Sequence, residues 1–209
     1  MDLDAHDGDG VVITGNNATV EAVNAFNGTG DAVTVKGNDS TIKGVAVVDQ
    51  NGSAVAVEGN NASVSGVVAN NGEGTVVDIK GNDSTVIDVL ANNQTGTVVA
   101  VTGDNATVSD VSSDGGNGSV VDITGDNANI SSIEAVNQTG TVVAVDGDNT
   151  SVGNVTANDG NGSVVDIIGD NATVAGIDAN NQSGTVVDVT GNNTSVDDVS
   201  SVNGTGSVV

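Results

Sequence analysis

The sequence contains no cysteine, proline, tryptophan, tyrosine or arginine, and it has only one phenylalanine. The lack of cysteine excludes a disulfide framework. Nucleic acid is not expected as a partner, because proteins bind its phosphates with clustered lysine and arginine, and this chain has three lysines in all. No run of about 18 apolar residues is present either, so no membrane span is predicted.

Positive charge is scarce: 28 Asp and Glu stand against 3 Lys, and the formal net charge is −25. An excess of aspartate with little lysine is typical of proteins that work in molar salt, where repulsion between carboxylates is screened within about 3 Å. We favour that interpretation over a general acidic bias for solubility. The first ten residues lack the basic and apolar segments of a signal peptide. We therefore expect either a cytoplasmic chain or a piece of a longer precursor.

What the sequence has in abundance is self-similarity, which must be recognised before any local prediction. The glycine at position 15 recurs every 22 residues without insertion or deletion, as Gly37, Gly59, Gly81, Gly103, Gly125, Gly147, Gly169 and Gly191. We number each unit from this glycine as positions 1 to 22. The chain then divides into a partial first coil (1–14), eight full coils (15–190) and an incomplete last coil (191–209), all in one domain. NQTGTVVAV at 93–101 returns at 137–145, which indicates duplication of a two-coil block of 44 residues.

Apolar residues within each unit lie two apart, at positions 4 and 6, 9 and 11, and 19 and 21. This is the period of a strand, and the apolar residues are mostly the β-branched Val and Ile that strands favour. Gly at positions 1 and 16 is expected at corners where φ is positive. The pattern predicts an all-β, single-stranded parallel β-solenoid of about nine and a half coils. Each coil is predicted to have three short strands, at positions 3–7, 8–12 and 17–22, around a column of Val, Ile and Ala.

The segments GNNATVEAV (15–23) and GDNATVAGI (169–177), followed by corners such as NGTG (203–206), resemble known repeats. They resemble the parallel β-helix coils of the pectin-lyase-like superfamily, and most closely the Asn- and Gly-rich NosD-type coils. The resemblance covers essentially the whole chain and implies a right-handed helix. It implies no particular activity, because lyases, hydrolases, adhesins and fibres share these coils.

Enzymatic activity is not expected from the sequence. Lyases of this superfamily need a basic residue as proton acceptor, and the only lysines, Lys36, Lys43 and Lys80, are scattered along the chain. Sugar subsites normally offer aromatic faces, and Phe26 is the only candidate. The lone His6 is interpreted as an exposed residue near the terminus. Every coil is alike, with no inserted loop to form a cleft. We therefore predict that the chain is not an enzyme and requires no cofactor.

Aspartate at position 2 of consecutive coils is the candidate metal site. Carboxylates stacked about 4.8 Å apart repel each other by about 1 kcal/mol even in bulk water. High salt or a bridging cation such as Ca²⁺ would offset this repulsion, and a solvated acidic edge is the alternative. The candidates for weak binding of Ca²⁺ or monovalent cations are Asp104, Asp126, Asp148 and Asp170. A second, broken acidic row at position 20, expected to point outward, consists of Asp78, Asp122, Asp166 and Asp188.

Asparagine forms two further patterns. Position 3 is Asn or Asp in every coil, and we expect these side chains to hydrogen-bond from coil to coil, as in cross-β stacks. Many asparagines also lie in Asn-x-Ser/Thr, the acceptor pattern for N-linked glycans, although repetition multiplies accidental matches. The glycosylation candidates are Asn17, Asn27, Asn61, Asn93, Asn105, Asn137, Asn171 and Asn203.

The ends of the chain suggest a function. Neither end shows a helix, proline or aromatic plug that would cap the solenoid, so strand edges are available to another chain. Head-to-tail contact of this kind does not close and generates a filament. We predict a structural protein, a subunit or segment of an extracellular or cell-surface filament that forms a head-to-tail homopolymer. The residues expected near the contacts are Val11, Ile13, Val199, Val208 and Val209.

Other interpretations stay open at this point. A carbohydrate-interacting β-helix of the cell surface would need a groove of polar residues that vary between coils. A cytoskeletal polymer like the bactofilins would fit a chain without a leader, and the protein would then be cytoplasmic, although the usual bactofilin repeat is shorter than 22 residues. A segment cut from a longer solenoid is the further alternative.

Overall fold

The computed structural model describes residues 1–4 and 7–209, and in these residues every regular element is a strand. The long-strand sheet consists of β1 (Asp2–Asp4), β3 (Thr19–Phe26), β5 (Thr41–Val48), β7 (Ser63–Asn70), β9 (Thr85–Asn92), β11 (Thr107–Asp114), β13 (Asn129–Val136), β15 (Ser151–Asn158), β17 (Thr173–Asn180) and β19 (Ser195–Val202). The short-strand sheet consists of β2 (Val11–Thr14), β4 (Val33–Lys36), β6 (Val55–Glu58), β8 (Val77–Lys80), β10 (Val99–Thr102), β12 (Val121–Thr124), β14 (Val143–Asp146), β16 (Val165–Ile168) and β18 (Val187–Thr190). None of the described residues belongs to a helix long and apolar enough to cross a membrane.

Each strand pairs in parallel with the equivalent strand one coil further along. Val33 lies opposite Val55, for example, so the register equals the 22-residue period. Within the long strands, position 8 has a positive φ, as at Ala22 (55°), and is left out of the pairing. This bend divides the long strand into two straight segments. The predicted parallel β-solenoid with three strands per coil is confirmed. The predicted strands began too early, because positions 3 and 4, and positions 17 and 18, form the turns that precede them.

The column inside the coils is made of Val, Ile and Ala, as expected. Positions 18 and 19 both face inward: Val76 and Val77 are 2% and 0% exposed, because the chain bends just before the short strand. The alternation of apolar residues in the sequence predicts an inward side chain at position 19 but not at position 18. Each buried Val or Ile contributes about 1.5–3 kcal/mol, and this burial is completed by the neighbouring coils, so the coils stabilise one another.

The corners use asparagine more than glycine. The left-handed conformation occurs at positions 3, 8 and 13, for example at Asn17 (φ 59°) and Asn27 (φ 55°), where Asn is the best tolerated residue after Gly. Gly at position 16 has a different role from the predicted one. A Cβ on Gly52 would lie 2.2 Å from the carbonyl oxygen of Gly30, so this position needs Gly for close stacking of backbones.

Position 14 shows why two coils form one unit. It is Gly in one coil and a buried Gln in the next, and the buried members are Gln50, Gln94, Gln138 and Gln182. Each glutamine fills the space beside the glycine of the preceding coil. A Cβ on Gly160 would lie 2.3 Å from Oε1 of Gln182. The 44-residue repetition of the sequence is therefore a packing unit.

Candidate functional site

The four predicted metal ligands at position 2 lie in one row along the solenoid. Each carboxylate accepts a hydrogen bond from the backbone N–H of position 2 in the next coil, as Asp104 Oδ1 does from Asp126 at 3.0 Å. The following N–H donors are Asp148 at 2.8 Å, Asp170 at 2.7 Å and Asn192 at 2.7 Å. Each N–H group stabilises the carboxylate that accepts from it and so counteracts part of the repulsion between neighbours. Among residues 1–4 and 7–209, no group of three or more His, Cys, Asp or Glu could hold a metal ion. Cation binding stays a prediction.

The asparagine row at position 3 forms the expected bonds between coils. Asn61 Nδ2 donates to Asp39 Oδ1 at 2.9 Å. The same bond joins Asn105 to Asp83 at 2.9 Å and Asn171 to Asn149 at 3.2 Å. All eight glycosylation candidates have exposed side chains: Asn17, Asn27, Asn61, Asn93, Asn105, Asn137, Asn171 and Asn203. Their modification stays a prediction.

The five residues expected at filament contacts do not meet within one chain. Val11 and Ile13 are half-buried in β2, the first strand of the short-strand sheet. Val199 is half-buried in β19, the last strand of the other sheet, and Val208 and Val209 are exposed beyond it. The two groups therefore lie at opposite ends of the stack. His6 lies outside the described residues.

One corner differs from all the others and forms a polar notch. Position 13 is Asn or Asp in the other coils from residue 15 onward, and there the row is interrupted by Gly115 (φ 70°). An open cavity of about 490 Å³ lies at this break in the row. We define the polar notch by its lining residues, Asn93, Gln94, Thr95, Gly115, Gly116, Asn117, Asn137 and Thr139.

The notch leaves hydrogen-bonding groups without a protein partner. Asn93 Nδ2 donates to Asn71 Oδ1 at 3.2 Å, and Asn137 Nδ2 donates to Asp114 Oδ1 at 3.2 Å. In an uninterrupted row, Asn93 Oδ1 would accept from the next position-13 side chain, which Gly115 lacks. Within the described part of the chain, no donor reaches Oδ1 of Asn93 or of Asn137. The notch thus offers uncharged acceptors and the hydroxyl of Thr95.

A second cluster lies on the outer face of the short-strand sheet and contains two of the three lysines. Lys36 Nζ lies 3.5 Å from Glu58 Oε2, and Lys80 Nζ lies 3.0 Å from Asp78 Oδ2. The hydrogen bond to Asp78 and its negative charge raise the pKa of Lys80. A cavity of about 150 Å³ lies between the two lysines, above Ala56.

Two further carboxylates line the same cavity. Thr34 Oγ1 donates to Asp9 Oδ2 at 3.1 Å and lies 3.4 Å from Asp31 Oδ2, so the two carboxylates are held close together. Paired carboxylates beside ammonium groups are residue types that acid–base chemistry uses.

The broken acidic row at position 20 occupies the other half of this face. The neighbouring coils partly remove Asp122 from water and thereby raise its pKa, although part of the side chain stays exposed. Burial raises the pKa of Asp166 as well, and the negative charge of Asp188 adds to the shift. A cavity of about 120 Å³ lies between Asp122 and Asp166, beside Ile168, whose side chain is 56% exposed.

The sequence matches no known family profile and no curated protein. Among solved structures, it is similar to endopolygalacturonase I from Stereum purpureum, determined with two galacturonate. The TM-score is 0.53, the identity is 15%, and the match covers 98% of this chain and 93% of that one. The chain is a parallel β-helix repeat protein. The A-module of the mannuronan C-5 epimerase AlgE4 from Azotobacter vinelandii also matches, over 100% of this chain and 88% of that one at 9% identity, but its TM-score of 0.34 supports no argument.

The prediction that the chain is not an enzyme is wrong. It was inferred from the uniform coils, and the β-helix matches an endopolygalacturonase over nearly its whole length. Two premises of that prediction also fail. Lys36 and Lys80 are not scattered, since they line one cavity. The polar notch shows that a cleft forms without an inserted loop where side chains are missing. At 15% identity the likeness shows the fold alone and assigns no activity.

The sequence did contain signals for both sites. Gly115 is the one break in the Asn and Asp row at position 13 from residue 15 onward. Lys36 and Lys80 lie 44 residues apart, which is two coils at the same position. Their meaning depends on which face each position occupies, and that requires the structure.

Proposed function

We propose that this protein is a carbohydrate-interacting β-helix of the cell surface or extracellular space and that the polar notch binds the sugar. The observation that carries the proposal is the gap at Gly115, which leaves Asn93 Oδ1 without the donor that an asparagine at position 13 of the next coil would supply. This is the variation between coils that a sugar-binding solenoid needs. The similar endopolygalacturonase was determined with galacturonate, so sugar ligands are within the range of this fold.

The chemistry of the notch fits hydroxyl-rich ligands. Amide oxygens accept hydrogen bonds, and the threonine hydroxyls both donate and accept, which are the complements of sugar hydroxyls. The cavity of about 490 Å³ falls within the usual range of small-molecule sites, about 300–1,000 Å³. The lining residues carry no charge, and the chain has no lysine after Lys80. The net charge of −25 repels acidic polysaccharides, so the expected ligand is a neutral glycan.

The test is a substitution that completes the interrupted row. Asn is the residue found at position 13 in six other coils, and it tolerates the positive φ of this site, so Gly115→Asn preserves the fold. Its Cβ would lie 2.8 Å from the present position of Asn93 Oδ1, so this oxygen moves aside and the new side chain blocks access to it. We expect neutral oligosaccharides to perturb the NMR signals of Asn93 and Asn137 in the wild type, and Gly115→Asn to abolish this effect.

Asp49→Asn is the matched control, because it changes position 13 three coils before Gly115, away from Asn93 and Asn137. It should bind like the wild type. Binding that survives in Gly115→Asn, or a wild type that binds no member of a neutral glycan panel, would refute the proposal.

A second candidate function is the head-to-tail filament. This function is supported by the equivalence of the contacts between coils, since the 22-residue register holds from β1 to β19. The first coil of one copy can therefore pair with the last coil of another in the same way. Val11, Ile13, Val199, Val208 and Val209 remain the residues expected near such contacts. Negative-stain microscopy in molar salt should show thin filaments of uniform width, and isolated rods about 45 Å long at every salt concentration would exclude them. The cytoskeletal alternative stays untested.

A further inference from the structure

One face of the long-strand sheet is uncharged over four coils. Positions 10 and 12 of each long strand point outward, between the bend at position 8 and the corner that begins at position 13. In β3, β5, β7 and β9 none of the residues at these positions is acidic or basic, in a chain whose formal net charge is −25. We define the neutral strip by six of these residues, which are Phe26, Val48, Val68, Asn70, Leu90 and Asn92.

The apolar members of the strip form a continuous surface. Val48 lies opposite Phe26 of the preceding coil, and Leu90 lies opposite Val68. Ala46 joins the two pairs, because it lies opposite Val68 and on the same strand as Val48. Phe26 is 39% exposed and Leu90 is 40% exposed, so apolar area faces water at both ends of the strip.

Two asparagines lie beside these apolar residues. Asn92 Nδ2 donates to Asn70 Oδ1 at 2.8 Å. The amide row ends on both sides of this bond, because Val48 precedes Asn70 and Asp114 follows Asn92. In the part of the chain that the structure describes, no donor reaches Asn92 Oδ1 and no acceptor reaches Asn70 Nδ2. The pair offers one acceptor and one donor to a ligand.

The neutral strip runs into the polar notch. Asn93, which lines the notch, directly follows Asn92 at the end of β9, and Leu90 lies in the same strand. Phe26 lies three coils away from Asn93, which is about 14 Å. The strip and the notch together extend over six coils, or about 24 Å, at right angles to the strands.

We propose that the ligand of the polar notch is a neutral oligosaccharide that extends from the notch along the neutral strip toward Phe26. This inference rests on the proposed function, and it adds the length of the ligand and the residues that bind its chain. Small-molecule sites are mostly apolar, with a few polar groups that fix the orientation of the ligand. The strip has this composition: Leu90 and Val68 pack against the C–H faces of sugar rings, and the asparagine amides bind the hydroxyls.

A second copy of this chain is a poorer occupant of the strip. Four strands about 4.8 Å apart and about 10 Å of each strand cover about 200 Å². A specific protein interface buries about 800 Å² on each partner. The strip is long and narrow, which suits a linear chain of sugar rings, and it has no charge that would pair with an ionic ligand.

The first test is the dependence of affinity on the length of the sugar chain, measured with the whole protein by isothermal titration calorimetry. The probes are manno-, cello- and malto-oligosaccharides, each from the monosaccharide to the hexasaccharide. In the series that binds, the affinity should rise at least tenfold from the disaccharide to the hexasaccharide, because the longer chains reach Leu90 and then Phe26. A notch that acts alone would bind all lengths with the same affinity.

The second test removes apolar area from the strip. Leu90→Thr should weaken binding of the hexasaccharide at least fivefold and leave the monosaccharide unaffected, with the fold checked by circular dichroism. Phe26→Thr should weaken the hexasaccharide but not the disaccharide. Ile87→Thr is the matched control, because Ile87 is 38% exposed on the same strand but lies beyond the bend at Asp88 (φ 61°). It should bind every probe like the wild type.

Gly115→Asn separates this inference from the proposed function, because it blocks the notch and should lower the affinity for every chain length. If Gly115→Asn has this effect but all lengths bind alike, or Leu90→Thr and Ile87→Thr behave alike, the strip is not part of the site and the proposed function stands. A wild type that binds none of the probes would overturn both. A dimer seen in sedimentation that Leu90→Thr dissolves would show that the strip joins two copies, and it would also overturn this proposal.

Discussion

The amide of Gln94 lies against the backbone of Gly72 in the preceding coil, so that a Cβ on Gly72 would be 2.4 Å from Gln94 Oε1. Gln94 is 2% exposed and cannot move outward without exposing the core. This contact recurs every two coils, and it links the alternation of the sequence to the packing of the corner. It also makes a side chain at Gly72 incompatible with the native position of Gln94.

We therefore expect Gly72→Ala to lower the free energy of unfolding by about 1–3 kcal/mol, the usual cost of overpacking. Thermal unfolding followed by circular dichroism measures it. In Gly72→Ala/Gln94→Ala the clash is absent, so the double variant should lose less stability than the two single changes together. Additive losses would show that the glutamine and the glycine do not interact.

The position-2 row allows the charge and the hydrogen bond of a carboxylate to be separated. Asp126 Oδ1 accepts from the N–H of Asp148 at 2.8 Å. Asp126→Ala removes this acceptor and should cost about 0.5–1.5 kcal/mol. Asp126→Asn keeps the acceptor and removes one charge from the row, so it should match or exceed the wild type at low salt. The advantage should shrink in molar salt because screening removes the repulsion.

The same pair of variants tests the cation prediction for this row. If Ca²⁺ binds along Asp104, Asp126, Asp148 and Asp170, calorimetry at low salt should detect heat with the wild type and less with Asp126→Asn. If calorimetry detects no heat with the wild type, the row does not bind Ca²⁺ and its role is structural.

The partly buried aspartates on the outer face of the short-strand sheet give a pH dependence. A carboxyl group whose pKa is raised on folding binds its proton more tightly in the folded chain, so stability decreases as pH rises through the raised value. Asp166→Asn imitates the protonated form. We expect it to have a higher Tm than the wild type at pH 7. The difference should disappear below the ordinary pKa of 3.8, where the unfolded carboxyl group is protonated too.

Asp178→Asn, on the long-strand sheet, is the control for loss of one negative charge. An equal gain of Tm in both variants would assign the effect to net charge and not to burial of Asp166.

The fold could be predicted from the sequence because the period is strict and one type of residue fills each interior position. Val, Ile and Ala at fixed positions specify strands, stacking and register together. The roles of single positions were harder to predict from the sequence. Position 18 faces inward only because the chain bends before it, as at Val76, and Gln94 faces inward because a glycine lies next to it.

The candidate sites were missed for a related reason. Each candidate site depends on a residue that departs from the repeat. That residue creates a cavity or a contact between coils. Gly115 matters because Asn93 and Asn137 lie on both sides of it, and Lys36 matters because Lys80 shares its face. Reading the sequence down each position, coil by coil, would have found both departures. The volumes and the open acceptors required side-chain positions.

Glycosylation and sugar binding should exclude each other at the polar notch. Asn93 and Asn137 both lie in the acceptor pattern and both line the cavity, so a glycan on either would occupy it. We expect protein secreted from a glycosylating host to carry a glycan at Asn137 and to bind neutral oligosaccharides at least tenfold more weakly than unmodified protein. Thr139→Ala removes the acceptor pattern at Asn137 and should restore part of the binding. Peptide mapping of the secreted protein locates the glycans, and unmodified Asn93 and Asn137 would contradict this prediction.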